Sequence, residues 1–554
     1  LGIPDLQLIA FSPLLVLLGG AGLVWLTGLG ERTAGWGGWL AGLAVAVAAL
    51  ALVQSEQRLA VEWLRLPGGN LSLVLAGDGL SRLFSLATLA LAGLLLLAHA
   101  NTPLTEQQPS SGGERGVIFG LLLLAGLLLY YAAASWLTLV FGWAVSGAAA
   151  WLVFVADGAA GEGRGRVLGA SFGGLTLLGI AVYLVRLNLT GEFSGLAAAV
   201  FANPVVLSLL LLALVGGLSL FPLYWLSSGE SEQEAGWRGR GLVLAITCGL
   251  PEVYLLLRVE RLAGGSLPDW WYGWLAALGG LNAILAAVFA LRGRSAAAIF
   301  DGLVVAGNGL AVFAFALHSD AATLAALALI FAFALGRATL AAGMSQRLLA
   351  PVGALSLAAL PPFAAAPAFW LLCIECLRVN SLLLWLPLGW LLLTLFASVA
   401  LVVEARSGGG GLAIWLAGGL LSLASLAAGG LGDLALTYLA QAAGLRLPTL
   451  ALPQWSAAGY GLGLLFLVTI GLAARRRGVV AAGERLTAPD VIAPVGEYLR
   501  FADWLHPRAW GGAATNLLRY VAGLLGNANN AVEGRYYLLA TALLLLVALL
   551  VISR

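Results

Sequence analysis

Few residues of this chain could do chemistry, and three of them fall inside long apolar stretches: Glu252, Asp301 and Arg337. An ionised side chain within a bilayer is costly, so it marks a pathway or a structural partner. Carboxylates take up and release protons, whereas arginine stays charged. A route through Glu252, Asp301 and Arg337 would therefore use the two carboxylates as its steps. The plainer reading pairs Glu252 with Arg258 or a nearby loop arginine, and has Arg337 satisfy backbone carbonyls or a subunit contact. Glu375 and Glu404 stand near helix ends. Arg238 and Arg240, beside Glu230, Glu232 and Glu234, read as a solvated loop with weak local ion pairs. Cys373 and Cys376 form Cys-Ile-Glu-Cys, but with three cysteines and three histidines in all they read as buried filler rather than a metal or redox pair. There is no nucleotide motif, iron–sulfur cysteine set or haem ligand pair, so no cofactor is expected. Lysine is absent altogether: all 28 basic residues are arginine.

The elements that must position these residues are membrane helices. Apolar residues make up 61% of the 554 and charged residues 10%, with mean hydropathy +0.98, too little polar surface for a soluble protein of this size. At about 20 residues per span the apolar runs predict about sixteen helices, in the order 7–29, 36–54, 82–100, 116–132, 135–155, 167–186, 204–226, 241–258, 271–291, 296–317, 321–343, 349–373, 381–404, 411–430, 457–474 and 537–553. Such runs are too long for barrel strands, and lipid demands internal backbone hydrogen bonds, so the expected class is an all-α polytopic membrane protein. A net charge of +2 gives no sign of a nucleic-acid partner. Connections after odd-numbered helices hold 18 of the 28 arginines. The positive-inside rule then puts that side in the cytoplasm and both termini outside, in a membrane expected to be the prokaryotic cytoplasmic one. The chain opens on Leu1 and its single methionine is Met344, so an initiator or short leader is expected to precede it.

Two connections stand out. Residues 55–81 carry Leu66-Pro67-Gly68-Gly69 and an alternating Leu71-Ser72-Leu73-Val74-Leu75 run, which predicts an external hairpin-like loop. Residues 475–535 open on Arg475-Arg476-Arg477 and interleave apolar and charged residues, the pattern of an amphipathic helix on the membrane surface. The seventh span is interrupted at Pro222 and the twelfth at Pro361 and Pro362. With helices 4–8 and 9–13 taken as two units, both breaks fall in the fourth helix of their unit, the pattern of an inverted-repeat transporter. The expected organisation is a three-helix region with its external loop (1–115), a first five-helix repeat (116–262), a second (263–405), C-terminal helices (406–474), the amphipathic connection (475–535) and a final span (536–554).

Several segments carry a resemblance to a known family. They are Asp78-Gly79-Leu80-Ser81, Phe141-Gly142-Trp143, Phe221-Pro222-Leu223-Tyr224-Trp225-Leu226, Val253-Tyr254-Leu255-Leu256-Leu257-Arg258, Pro351-Val352-Gly353-Ala354-Leu355-Ser356-Leu357 leading to Leu360-Pro361-Pro362-Phe363, and Glu533-Gly534-Arg535-Tyr536-Tyr537. In this order the chain resembles the antiporter-like membrane subunits of respiratory complex I, shared with Mrp-type cation/proton antiporters and energy-converting membrane hydrogenases. The resemblance implies a row of proton-carrying charges: a glutamate on the fifth helix, a lysine on the seventh, and further groups on the eighth and twelfth. Aligned by the motifs, those positions hold Ala144, Gly217, Leu244 and Phe369, the last two placed to within a turn. No shift can supply a lysine to a chain that has none.

The first functional expectation is therefore a degenerate antiporter-like subunit of a complex I-related assembly, of the NADH dehydrogenase or hydrogenase type. It would be non-catalytic and structural, without a standard proton channel of its own. Its partners would be other membrane subunits and the lipid bilayer, and its 74 glycines suit close helix packing. The alternative is an active proton- or cation-translocating subunit with a path relocated through Glu252 and Asp301. A third reading is an independent membrane protein that shares only the architecture.

Overall fold

The computed structural model describes residues 12–28, 37–54, 59–66, 69–100, 111–156, 173–184, 192–193, 198–201, 203–218, 237–265, 267–293, 295–343, 346, 349–404 and 412–446. Helices dominate, as a chain of long apolar runs requires. They are α1 (Ser12–Gly28), α2 (Gly37–Gln54), α3 (Gly79–Ala100), α4 (Ser111–Tyr131) and α5 (Trp136–Ala156), then α6 (Gly173–Leu184) and α7 (Pro204–Gly217). The eighth is split into α8a (Trp237–Thr247) and α8b (Leu250–Leu262). There follow α9 (Asp269–Leu291), α10 (Ala296–Ala316) and α11 (Asp320–Gly343), a split twelfth helix of α12a (Ala350–Leu357) and α12b (Ala365–Val379), then α13 (Trp385–Glu404) and α14 (Leu412–Gly430). Among the described residues nine helices are long and apolar enough to cross a membrane. An unpredicted short helix, α15 (Gly432–Ala442), follows α14. The predicted spans at 457–474 and 537–553, the connection 475–535 and the seventh-helix break at Pro222 lie outside the described residues.

The hairpin expected in 55–81 is present: β1 (Leu59–Leu66) pairs antiparallel with β2 (Gly69–Leu75), Leu59 opposite Leu75. Its second strand is tied to the α4–α5 turn, where Ala134 N donates to Val74 O at 2.8 Å and Ala76 N to Ala132 O at 2.8 Å. Thr138 Oγ1 accepts from Val74 N at 2.9 Å.

Two antiparallel helix pairs set the frame. In α4–α5, a Cβ on Gly126 would stand 2.6 Å from Ser146 N, and one on Gly142 would stand 2.5 Å from Tyr130 N. In α9–α10, a Cβ on Gly279 would stand 2.5 Å from Phe313 N, and one on Gly309 would stand 2.5 Å from Ala283 N. Apolar burial does little to drive helices together in lipid, so such close backbone approach is what holds them.

The twelfth helix breaks at Pro361 and Pro362 as predicted, between α12a and α12b. Non-helical backbone at membrane depth survives only when protein covers it. Here α14 does so: Gly429 lies so close that a Cβ would overlap Pro362 O at 2.0 Å, and Ser425 Oγ sits 3.1 Å from Ser356 Oγ. The break in the eighth helix, at Cys248–Gly249, was not predicted. Gly249 has φ +101°, and a Cβ there would meet Ile330 Cδ1 at 2.3 Å, so only glycine fits. The sequence signal was Gly249-Leu250-Pro251, a glycine stop followed by a proline early in the next helix.

Candidate functional site: a buried charge axis at the helix-eight break

The broken eighth helix gathers four of the five buried charged residues among those described. Interrupting a helix frees backbone donors and acceptors, and two side chains take them up. Glu252, 2% exposed in the first turn of α8b, accepts from Gly249 N on Oε2 at 2.8 Å. Arg337, fully buried on α11, donates to Cys248 O, to Val304 O at 3.1 Å and to Asn308 Oδ1 at 2.6 Å. The expectation that Arg337 satisfies backbone carbonyls is met. The expectation that Glu252 pairs with Arg258 is not: Arg258 instead pairs with Asp78, because it lies well beyond Glu252 along α8b, nearer the α3 end.

Asp301 and Arg240 form the second part of the axis. The tenth helix starts at Ala296, where the predicted span 296–317 begins, which places Asp301 in its second turn with no solvent exposure. Arg240 was expected in a solvated loop. The eighth helix begins earlier than predicted, at Trp237, which carries Arg240 inside at 3% exposure. Its Nε donates to Asp301 Oδ1 at 3.3 Å, and a second nitrogen bonds Oδ2. Such two-point pairing is what a desolvated arginine–carboxylate pair needs. Asp301, Val304 and Asn308 recur at helical spacing along α10, so that helix touches both arginines. Two carboxyl groups and two guanidiniums thus lie buried along this axis.

The four positions where the resemblance implies proton carriers are dispersed. Gly217 ends α7 beside this axis: a Cβ on it would stand 2.6 Å from Glu252 Oε1 and 2.8 Å from the Trp143 ring. Glu252 therefore occupies the space into which a side chain at 217 would project. Ala144 is exposed on α5, and it is its neighbour Trp143, 7% exposed, that reaches the site. Leu244 is fully buried in α8a, one turn from Arg240. Phe369 lies on α12b, 3% exposed, with its ring stacked on Trp390 at 5.9 Å; Trp390 in turn packs on Phe333 at 5.6 Å.

Beside Glu252 lies a cavity of about 70 Å³, lined among others by Tyr130, Trp143, Ser146, Gly147, Trp151 and Gly217. Tyr130 OH donates to Pro251 O at 3.0 Å, and Tyr254 OH donates to Tyr131 O at 2.6 Å, which pins α8b to α4. Among the described residues no cluster of three or more histidine, cysteine, aspartate or glutamate side chains could hold a metal. Cys373 and Cys376 are buried and free. Glu375 accepts from Arg378 at 2.9 Å and from Ser319 Oγ at 2.9 Å.

At the end of α8b a second cluster closes the fold. Arg258 pairs with Asp78 and lies over the Phe193 ring at 5.3 Å. Burial opposes the charge on Asp78, but the Arg258 guanidinium and the bond from Ser81 N outweigh it and hold the carboxyl below its ordinary 3.8. Sequence reasoning quoted Asp78 and Arg258 in separate motifs; nothing local says that they meet, 180 residues apart.

No family model matches the chain, and no curated protein is similar to it in sequence. Solved structures match it at the level of the fold. A chain of the Mrp complex from Dietzia sp. DQ12-45-1b aligns with TM-score 0.69 at 17% identity, over 93% of this chain and 63% of that one. A chain of the membrane-bound sulfane sulfur reductase, an archaeal respiratory membrane complex, aligns with TM-score 0.74 at 16% identity, over 98% of this chain and 100% of that one. This chain thus spans 63% of the length of the Mrp chain, and it has the fold of these membrane-complex chains.

Proposed function

We propose that this chain is an antiporter-like membrane subunit of a multisubunit, complex I-related assembly of the dehydrogenase or hydrogenase type. Its own work there is structural, and it has no standard proton channel. The fold shared with chains of the Mrp complex and the sulfane sulfur reductase supports the first part. The second rests on one observation: each buried ionisable group of the axis is committed to holding helices in place. Glu252 and Arg337 serve the backbone groups freed by the break, and Asp301 is locked to Arg240. A proton carrier must change partners, and a carboxylate held at two points by an arginine cannot do so without breaking that pair. At the twelfth helix, the position implied for a carrier is an aromatic stack. Its partners would be further membrane subunits and lipid, in a prokaryotic cytoplasmic membrane with both termini outside.

The test is extraction of the tagged full chain from its native membrane in mild detergent, with the retained proteins identified by mass spectrometry. Stoichiometric membrane subunits of a redox or antiporter assembly are expected. A chain recovered alone would contradict the proposal and favour an independent membrane protein.

A second reading, translocation along a path relocated through Glu252 and Asp301, is favoured by the cavity at Glu252 and by the succession Asp301, Val304, Asn308 on α10 that joins both arginines. It requires Asp301 to leave Arg240 during the cycle.

A further inference from the structure

The cavity beside Glu252 has chemistry that neither bracing helices nor passing protons requires. We propose that it binds a small alkylammonium cation. This assignment goes beyond the structural reading above and stands whether or not the subunit moves protons.

The hydroxyls and the carboxyl group around the cavity offer acceptors. Ser146 Oγ spends its proton on Trp143 O at 2.9 Å. Thr247 Oγ1 spends its own on Val243 O at 2.7 Å, and Tyr130 OH is committed to Pro251 O at 3.0 Å. What these hydroxyls still offer is lone pairs. Glu252 adds a carboxylate, with Oε2 on Gly249 N and Oε1 toward Gly217. An anion would find no spare hydroxyl donor, and a buried carboxylate would repel it. A cation that donates hydrogen bonds finds a carboxylate and π faces.

The remaining walls select the kind of cation. Trp143, Trp151 and Tyr130 present aromatic rings, and Leu127, Val243 and Phe154 are apolar. A bare alkali or alkaline-earth ion draws on oxygens alone, and most of this wall is ring and alkyl surface. An ammonium carrying a short alkyl group satisfies both halves: the N–H groups face the carboxylate, and the alkyl part lies on aromatic surface, where cation–π attraction strengthens as water is excluded. At about 70 Å³ the space exceeds the roughly 15 Å³ that one water needs, so a group of a few heavy atoms fits. Trp151 is 40% exposed, which marks the mouth.

Gly147 provides a clean handle. It lines the cavity, and a Cβ placed on it meets nothing within 4 Å, so a methyl group is accommodated there and a longer side chain has the cavity to enter. The experiment is saturation-transfer NMR with methylammonium chloride on the purified full chain in detergent, at constant ionic strength set with sodium chloride. Saturation transfer to the methyl group is expected in the wild type, competed by ethylammonium and not by added sodium or potassium. Glu252→Gln should weaken binding at least roughly tenfold, because the charge-assisted bond is lost. Gly147→Leu should abolish it with the melting temperature retained, and Gly147→Ala should keep it. If Glu252→Gln does not fold, the Gly147 pair decides. No transfer in the wild type (a cavity holding water only), transfer unchanged in Gly147→Leu, or displacement by sodium at equal concentration would each overturn the assignment. None of these results bears on which subunits copurify.

Discussion

Residues 116–262 and 263–405, the two stretches expected to be five-helix units, start alike and end differently. Both open on a helix pair locked by glycines at backbone contact: Gly126 and Gly142 in the first, Gly279 and Gly309 in the second. Both contain an interrupted helix that their neighbours cover. The first then keeps open space around a carboxylate, at Glu252, facing a glycine where a side chain would clash. The second packs rings beside its broken helix, Phe369 on Trp390 on Phe333. Two of its buried ionisable residues also reach beyond it. Asp301 reaches Arg240 on α8a, and Arg337 reaches Cys248 O at the break in the first segment. On the proposed structural reading, the second segment packs and clamps, and the first keeps the cavity. On that reading a transporter frame stands without a wire, provided the orphaned backbone groups at its breaks are satisfied.

The largest effect is expected at the seam between the segments. Asp301→Ala strands a desolvated guanidinium, which costs about 3–5 kcal/mol. A double replacement, Arg240→Leu with Asp301→Leu, should recover most of that loss. Thermal melts of the detergent-solubilised chain read both, and an unrecovered double variant would mean that the pair does more than hold the seam.

Within the second segment, Phe369→Ala removes a buried ring and costs about 3–5 kcal/mol if the stack cannot collapse. A much smaller loss in the same melts would show that the aromatic closure is loose, and the contrast with the first segment would fail.

Within the first segment, Gly217→Val forces a Cβ to within 2.6 Å of Glu252 Oε1 and should cost about 1–3 kcal/mol. If chemical denaturation finds it neutral, Glu252 does not occupy that space.

The smallest effect is a pH dependence outside the membrane core. The carboxyl of Asp78 is held below 3.8 by Arg258, so its folded value lies under its unfolded one. It contributes stability that is fully present above the ordinary carboxylate range and is lost as pH falls through the lowered value. The melting difference between wild type and Asp78→Asn should be flat at neutral pH and shrink toward acid. A difference constant down to acid pH would dissociate Asp78 from Arg258.

Much of the fold was legible because apolar runs of span length and proline-broken helices are written locally. The fourteen predicted spans up to residue 430 each contain a described helix, and the hairpin in 55–81 follows from its alternation and Pro-Gly turn. The site was less legible because its partners are distant in sequence. Arg240 read as a loop residue: charge marks helix ends in hydropathy, and its partner Asp301 lies 61 residues away. The break at Gly249 was hidden because α8a and α8b are both apolar, and only the glycine–proline pairing marked it. Glu252 was identified as buried, but its replacement of a side chain at 217 could not be read from either residue alone, since it depends on how α7 ends against α8b.

The central claim is that this chain carries a transporter frame without its own standard channel. The most direct measurement is proton uptake into liposomes that hold the purified chain, driven by a potassium diffusion potential, for wild type, Glu252→Gln and Asp301→Asn. The account predicts uptake no faster than in empty liposomes for all three. Wild-type uptake above that level, abolished by either substitution, would contradict it and establish the relocated path.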